Sequence, residues 1–157
     1  MVDDNYLMLF ALQQAEIAEQ LGEIPVGAII TDSNGMIISK GYNRTIIDND
    51  PTAHAEVVAI RNAAKQISNY RLNNLNIYVT LEPCLMCIGA LFHSRIESIF
   101  FGAYDYKTGA CGSVINAISL KKLNHHATSK GGILSCKCSE ILINFFKSLR
   151  KNKKYIK

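Results

Sequence analysis

The 157-residue sequence predicts an α/β fold, a three-layer α/β/α sandwich around a central mixed five-stranded sheet. Three observations carry that class. Asn34-Gly35, a strong hairpin signal, joins two apolar runs near the N-terminus and makes the first two strands antiparallel. The β-rich run "NIYVTL" is followed by a helix opened by Pro83, a junction that allows later strands to lie parallel through helical crossovers. Near the C-terminus, Ile141, Phe145 and Leu149 share one stripe with Leu142 and Phe146 beside it, the pattern of an amphipathic helix docking on the body.

Each element has its own local signal. "YLMLFALQQAEIAEQLG" carries Leu7, Phe10, Ala11, Ile17, Ala18 and Leu21 at near-helical spacing and ends at Gly22. "VGAIITDSNGMIISKGY" supplies the two hairpin strands. Thr52 is placed to cap a helix through "AHAEVVAIRNAAKQI". "NIYVTL" reads as a central strand, "PCLMCIGALFHS" as the helix after it and "IESIFFGA" as another strand. "KTGACGS" is a Gly-rich loop, and the fifth strand is expected near residues 132–135. No repeat, linker or low-complexity segment divides the chain, so residues 1–157 read as a single domain. A basic helix and tail, from about residue 138 to 157, close it.

With 48% apolar and 19% charged residues, disorder and fibrous architectures are excluded. The opening "MVDDNYLMLF" is acidic where a secretory signal is basic. No apolar run approaches the roughly 18 residues that cross a bilayer. A soluble, cytoplasmic protein without a membrane partner is expected. Its five cysteines, an odd number, then point to free or metal-bound thiols rather than disulfides. Net charge is +4, yet residues 147–157 hold six of the 17 Lys and Arg and no acid. The remaining 11 basic and 13 acidic residues leave a body near −2. Such a tail is either a solubilising terminus or an arm that contacts phosphates.

The chemistry concentrates in "DPTAHAEVVAI" and "LEPCLMC". Cys84 and Cys87, spaced i, i+3 at a helix start, present both sulfurs to one ion. The positive end of the helix favours their thiolates. His54 supplies a third ligand, and no second C-x-x-C exists to supply a fourth. Three protein ligands characterise a catalytic zinc site, which keeps its last position open for water. Glu56, two residues beyond His54, is placed to carry protons without being a ligand. A structural zinc would instead need a fourth ligand from Cys111, Cys136, Cys138, His93, His125 or His126. A redox pair would rest on the C-x-x-C alone.

At these residues the chain resembles the zinc-dependent nucleobase deaminases, whose signature is H-x-E followed by P-C-x-x-C. The blocks "PVGAII", "GYNR", "PTAHAE", "NYRL", "YVTLEPCLMC", "HSRI", "FGAYDYKTGACGS", "NH" and "FFKSLR" narrow the likeness to the bacterial tRNA-specific adenosine deaminases, over nearly the whole chain. Ile88 departs from the alanine of many relatives, a packing change only. The resemblance implies a cytidine deaminase-like fold, one zinc per chain on His54, Cys84 and Cys87, and Glu56 as the catalytic proton carrier. It further implies that Asn43 contacts the nucleoside, and that Asp105, Lys107, Asn124, Phe146 and Arg150 touch the anticodon loop.

The implied reaction is hydrolytic deamination of adenosine to inosine at the wobble position of a tRNA anticodon, without an organic cofactor. A homodimer whose two chains both touch the substrate is implied as well. Two alternatives share these features. One is a deaminase of a free base or nucleotide (guanine, a pyrimidine nucleotide or a riboflavin precursor). The other is a non-catalytic RNA-binding subunit with a structural zinc.

Overall fold

The hairpin forms where Asn34-Gly35 places it. Asp32 Oδ1 accepts from the amides of Asn34 and Met36, both at 2.9 Å, and Gly35 takes the left-handed φ of +83° that the tight turn requires. The computed structural model describes residues 2–154. In chain order the elements are α1 (Asp4–Gln20), β1 (Gly27–Thr31), β2 (Ile37–Tyr42), α2 (Ala55–Ile67), β3 (Asn76–Leu81), α3 (Leu85–His93), β4 (Ser98–Ala103), β5 (Thr128–Lys130) and α4 (Ser135–Lys154). The sheet order is β2-β1-β3-β4-β5. β1 is antiparallel to both its neighbours, and β3, β4 and β5 run parallel. The mixed five-stranded sandwich expected from the sequence is the observed fold.

Strand alternation builds the layers. Ala28, Ile30, Ile77 and Val79 face α2 and α3, burying Ala55, Ala59, Ile88 and Leu91. Ile29 and Tyr78 face the other way, against Leu7, Met8, Ala11 and Leu12 of α1 and Cys138 of α4. The α2 layer sits close because Gly41 of β2 has no side chain: a Cβ there would lie 2.5 Å from Ala59 N and 2.6 Å from Ala55 O. No helix among the described residues is long and apolar enough to cross a membrane.

Four local expectations change. Thr52 does not cap α2, because its amide and hydroxyl both bond Asp50 Oδ1, at 2.8 and 2.7 Å, in the preceding turn. His54 takes the cap position instead, with extended backbone and no capping bond of its own. The fifth strand is the polar, exposed Thr128–Lys130, which carries no apolar signal. Residues 132 and 133 instead bond across β4, Gly132 N to Gly102 O and Ile133 N to Phe101 O, and lead into α4. On α1 the buried face runs through Leu7, Met8, Ala11, Leu12, Gln14, Ala15 and Ala18, so Ile17 and Leu21 point to solvent. Finally, most of the basic terminal segment is helical, since α4 reaches Lys154; residues 155–157 lie outside the described residues.

Candidate active site

Two helix starts meet at the end of β3. The strand runs out at Leu81, and Glu82-Pro83 turns the chain into α3, whose cap residue is Cys84. His54 caps α2 in the adjoining position. Because neither cap side chain is spent on its own helix, both are free to face a common point. There the ligand atoms of His54, Cys84 and Cys87 lie within 4.8 Å of one another, and no fourth His, Cys, Asp or Glu joins them among the described residues.

The donor set fits zinc. His54 Nδ1 is 3.7 Å from Cys84 Sγ and 3.4 Å from Cys87 Sγ. Tetrahedral zinc with ordinary bond lengths separates its nitrogen and sulfur ligands by about 3.6 Å. The two thiols shift in opposite directions, and only Cys84 is favoured as thiolate without a metal. The Cys84 thiol is lowered to about 4, chiefly by its hydrogen bond with Cys87 and further by His54. The Cys87 thiol is raised, first by that same bond and then by burial. The bond to Cys84 raises His54, against burial.

Glu56 follows on the first turn of α2 and is only 4% exposed. Burial, before any other cause, raises its pKa, while a hydrogen bond with Cys87 opposes the rise. Its carboxylate thus sits beside the sulfurs without joining the ligand cluster. Asn43, buried at the end of β2, faces the same space. Together with Val26, Leu81, Asp105 and Thr108 these groups enclose a cavity of about 190 Å³. That is below the roughly 300 Å³ at which pockets for drug-sized ligands begin, and suits a single flat ring.

The cavity adjoins a larger hollow of about 560 Å³, with which it shares Ile24, Leu81, Asp105 and Thr108 as lining. Tyr104, Tyr106 and Phe146 line this hollow. Lys107 and Phe146 also line a second hollow with Leu149, Arg150 and Lys153. The structure therefore brings Asp105, Lys107, Phe146 and Arg150 to the walls of adjoining hollows. The Asp105 carboxylate is already engaged there, accepting from the amides of Lys107 (3.0 Å) and Thr108 (3.2 Å) and from the Thr108 hydroxyl (2.8 Å). Asn124 stands apart. It accepts from Arg95 Nη1 at 3.4 Å, just before β4, whereas Asp105 lies beyond the opposite end of that strand.

The other candidate ligands are otherwise placed. Cys138 is buried under Gly102, Cys136 is exposed, and His125 Nε2 lies 2.7 Å from Ile96 O. Sequence reasoning missed Glu82, a cavity-lining acid 2% exposed. Its signal was a lone charge between the apolar end of β3 and Pro-Cys.

The zinc-binding region of cytidine and deoxycytidylate deaminases, as a family model, matches residues 1–103. The tRNA-specific adenosine deaminase of Haemophilus influenzae is 52% identical over 151 residues, covering 96% of this chain and 87% of its own. A solved structure from work on A-to-I editing by tRNA:A34 deaminases at the wobble position of transfer RNA has a TM-score of 0.84 and 37% identity, covering 87% of this chain and 99% of its own. Guanine deaminase from Bacillus subtilis is similar over 66% of each chain, with a TM-score of 0.62 and 38% identity.

Proposed function

The chain belongs to the cytidine and deoxycytidylate deaminase zinc-binding family, and from that premise we propose that it hydrolytically deaminates adenosine to inosine at the wobble position of a tRNA anticodon. One observation carries the substrate: the ring-sized cavity shares its wall with hollows lined by aromatic and basic side chains. A free-base enzyme needs only the cavity. A loop nucleotide splayed from its neighbours needs surfaces for the flanking bases and phosphates too.

His54 Nδ1 and the Cys84 and Cys87 thiolates would hold zinc. Bound there, the metal supplies a Lewis acid that makes water nucleophilic near neutral pH. Glu56 would accept a proton from the attacking water and deliver it to the ring nitrogen beside C6. It would then take the remaining proton from the hydroxyl added at C6 and pass it to the amino group, so that the C6–N bond breaks, ammonia leaves and the oxygen stays on C6 as a carbonyl. General acid–base help of this kind contributes roughly 10²–10⁴-fold. Asn43 would orient the nucleoside from the cavity wall. Tyr104, Tyr106 and Phe146 offer faces for the flanking bases, and Lys107, Arg150 and Lys153 offer charge for phosphates. We read residues 1–157 as one deaminase domain acting in the cytoplasm as a homodimer. Leu85, Met86, Val114 and Ile115, apolar and exposed on α3 and the loop after Asp105, support a partner chain there.

Wild type and Glu56→Ala, assayed for inosine in an anticodon stem-loop bearing a wobble adenosine, test the reading, with zinc content measured in parallel. Inosine from wild type alone, with one zinc in each protein, is the expected result. The likeness to guanine deaminase favours a second reading, and turnover of free guanine with no inosine in the stem-loop would establish it instead.

A further inference from the structure

Glu82 has a role that neither the ligand set nor the proton carrier explains. Its carboxylate is buried, yet no cation pairs with it among the described residues. Four donors surround it instead. Asp105 N reaches Oε1 at 3.2 Å, Cys111 N and Ser113 N reach Oε2 at 3.0 and 3.2 Å, and the Ser113 hydroxyl donates to Oε1. All four belong to one segment, the loop between β4 and residue 114. A carboxylate withdrawn from water is costly unless its oxygens are saturated, and here one loop saturates both.

The loop in turn is fitted to that carboxylate. Gly109 packs against it so closely that a Cβ would collide with the Glu82 carboxyl group. Ala110 N bonds Pro83 O at 2.9 Å, and Gly109 bridges to Cys84, so the loop is zipped along the turn that Glu82 begins. This segment carries Asp105 and Thr108 of the cavity wall and Tyr104, Tyr106 and Lys107 of the adjoining hollow. Glu56 and the ligands are carried by other elements, α2 and the start of α3.

We propose that Glu82 is a positioning residue: it fixes the loop of residues 104–114 as the wall of the cavity, and thereby sets how tightly the substrate is held rather than how fast it reacts. The part about substrate rests on the function proposed above. Glutamine retains one acceptor oxygen and turns an NH₂ group toward backbone donors, so Glu82→Gln opposes the loop at one end of the carboxylate. Ser113→Ala removes one of the four donors and leaves the three amides in place.

The test uses the full-length, zinc-loaded protein. Steady-state deamination of the wobble-adenosine stem-loop is measured alongside hydrogen exchange of the loop amides and zinc content. For Glu82→Gln, KM rises about tenfold while kcat stays within about threefold, and the amides of residues 105, 111 and 113 exchange at least about tenfold faster. Ser113→Ala moves both readouts the same way by about two- to threefold, and it decides the matter if Glu82→Gln fails to fold or to keep zinc. Unchanged exchange in the loop overturns the proposal, as does a fall in kcat with KM intact. If wild type makes no inosine, the functional reading fails by itself, and the exchange data still decide whether Glu82 holds the loop.

Discussion

Phe145 and Phe146 are neighbours on α4 with opposite fates, and replacing each by alanine separates folding from RNA binding. Phe145 is 9% exposed and docks on the body, whereas Phe146 is 41% exposed on the adjoining hollow. Their rings meet edge-to-face, with centroids 5.5 Å apart and planes at 74°. Phe146→Ala forfeits that ring pair, about 0.5–1.5 kcal/mol of stability. It also removes a stacking surface worth about 1–3 kcal/mol per base, equivalent to roughly a 5- to 150-fold rise in KM for the stem-loop. Phe145→Ala removes a buried ring, at a cost of about 3 kcal/mol or more. At roughly 2–4 °C per kcal/mol for a chain of this size, Tm falls by about 6 °C at least in Phe145→Ala and by only a few degrees in Phe146→Ala. Thermal unfolding and steady-state kinetics on both variants provide the assay. A Phe146→Ala enzyme with unchanged KM refutes the assignment of the hollow to the substrate, whatever its Tm.

Deleting residues 151–157 removes Lys151, Lys153, Lys154 and Lys157. Stem-loop binding should weaken and its salt dependence flatten, by about 0.7 in log–log slope for each phosphate no longer neutralised, while zinc is retained; an unchanged slope assigns the segment to solubility. Gly41→Ala forces a methyl against the α2 backbone at Ala55 and Ala59, and overpacking of about 1–3 kcal/mol should lower Tm and perturb α2, the helix that His54 caps. Burial pushes the Cys138 thiol up to about 12, so little of it is thiolate at pH 8. A thiol reagent at that pH should therefore modify exposed Cys136 readily and leave Cys138 until the protein unfolds or the pH nears 12; rapid modification of both together contradicts the buried placement. Stripping zinc with a chelator should abolish turnover and add Cys84 to the reactive thiols, and readdition of zinc should reverse both changes.

Local chemistry made much of this protein legible in its sequence. The Asn34-Gly35 turn, the Pro83 junction and the His-x-Glu and Cys-x-x-Cys spacings act over a few residues, so they can be read without a fold. What depends on distant partners could not be. Asp50 withdrew Thr52 from the cap and left His54 to occupy it, and β5 forms from polar residues because β4 offers an open edge. Phe145 and Phe146 look alike in a periodic stripe, and only the docking angle of α4 decided which was buried. Glu82 shows the difference most clearly. Its sequence neighbours make it an acid before a proline; the donors that give it a role come from residues 105–113, across the adjoining strand, and only the parallel pairing of β3 with β4 brings that loop to it.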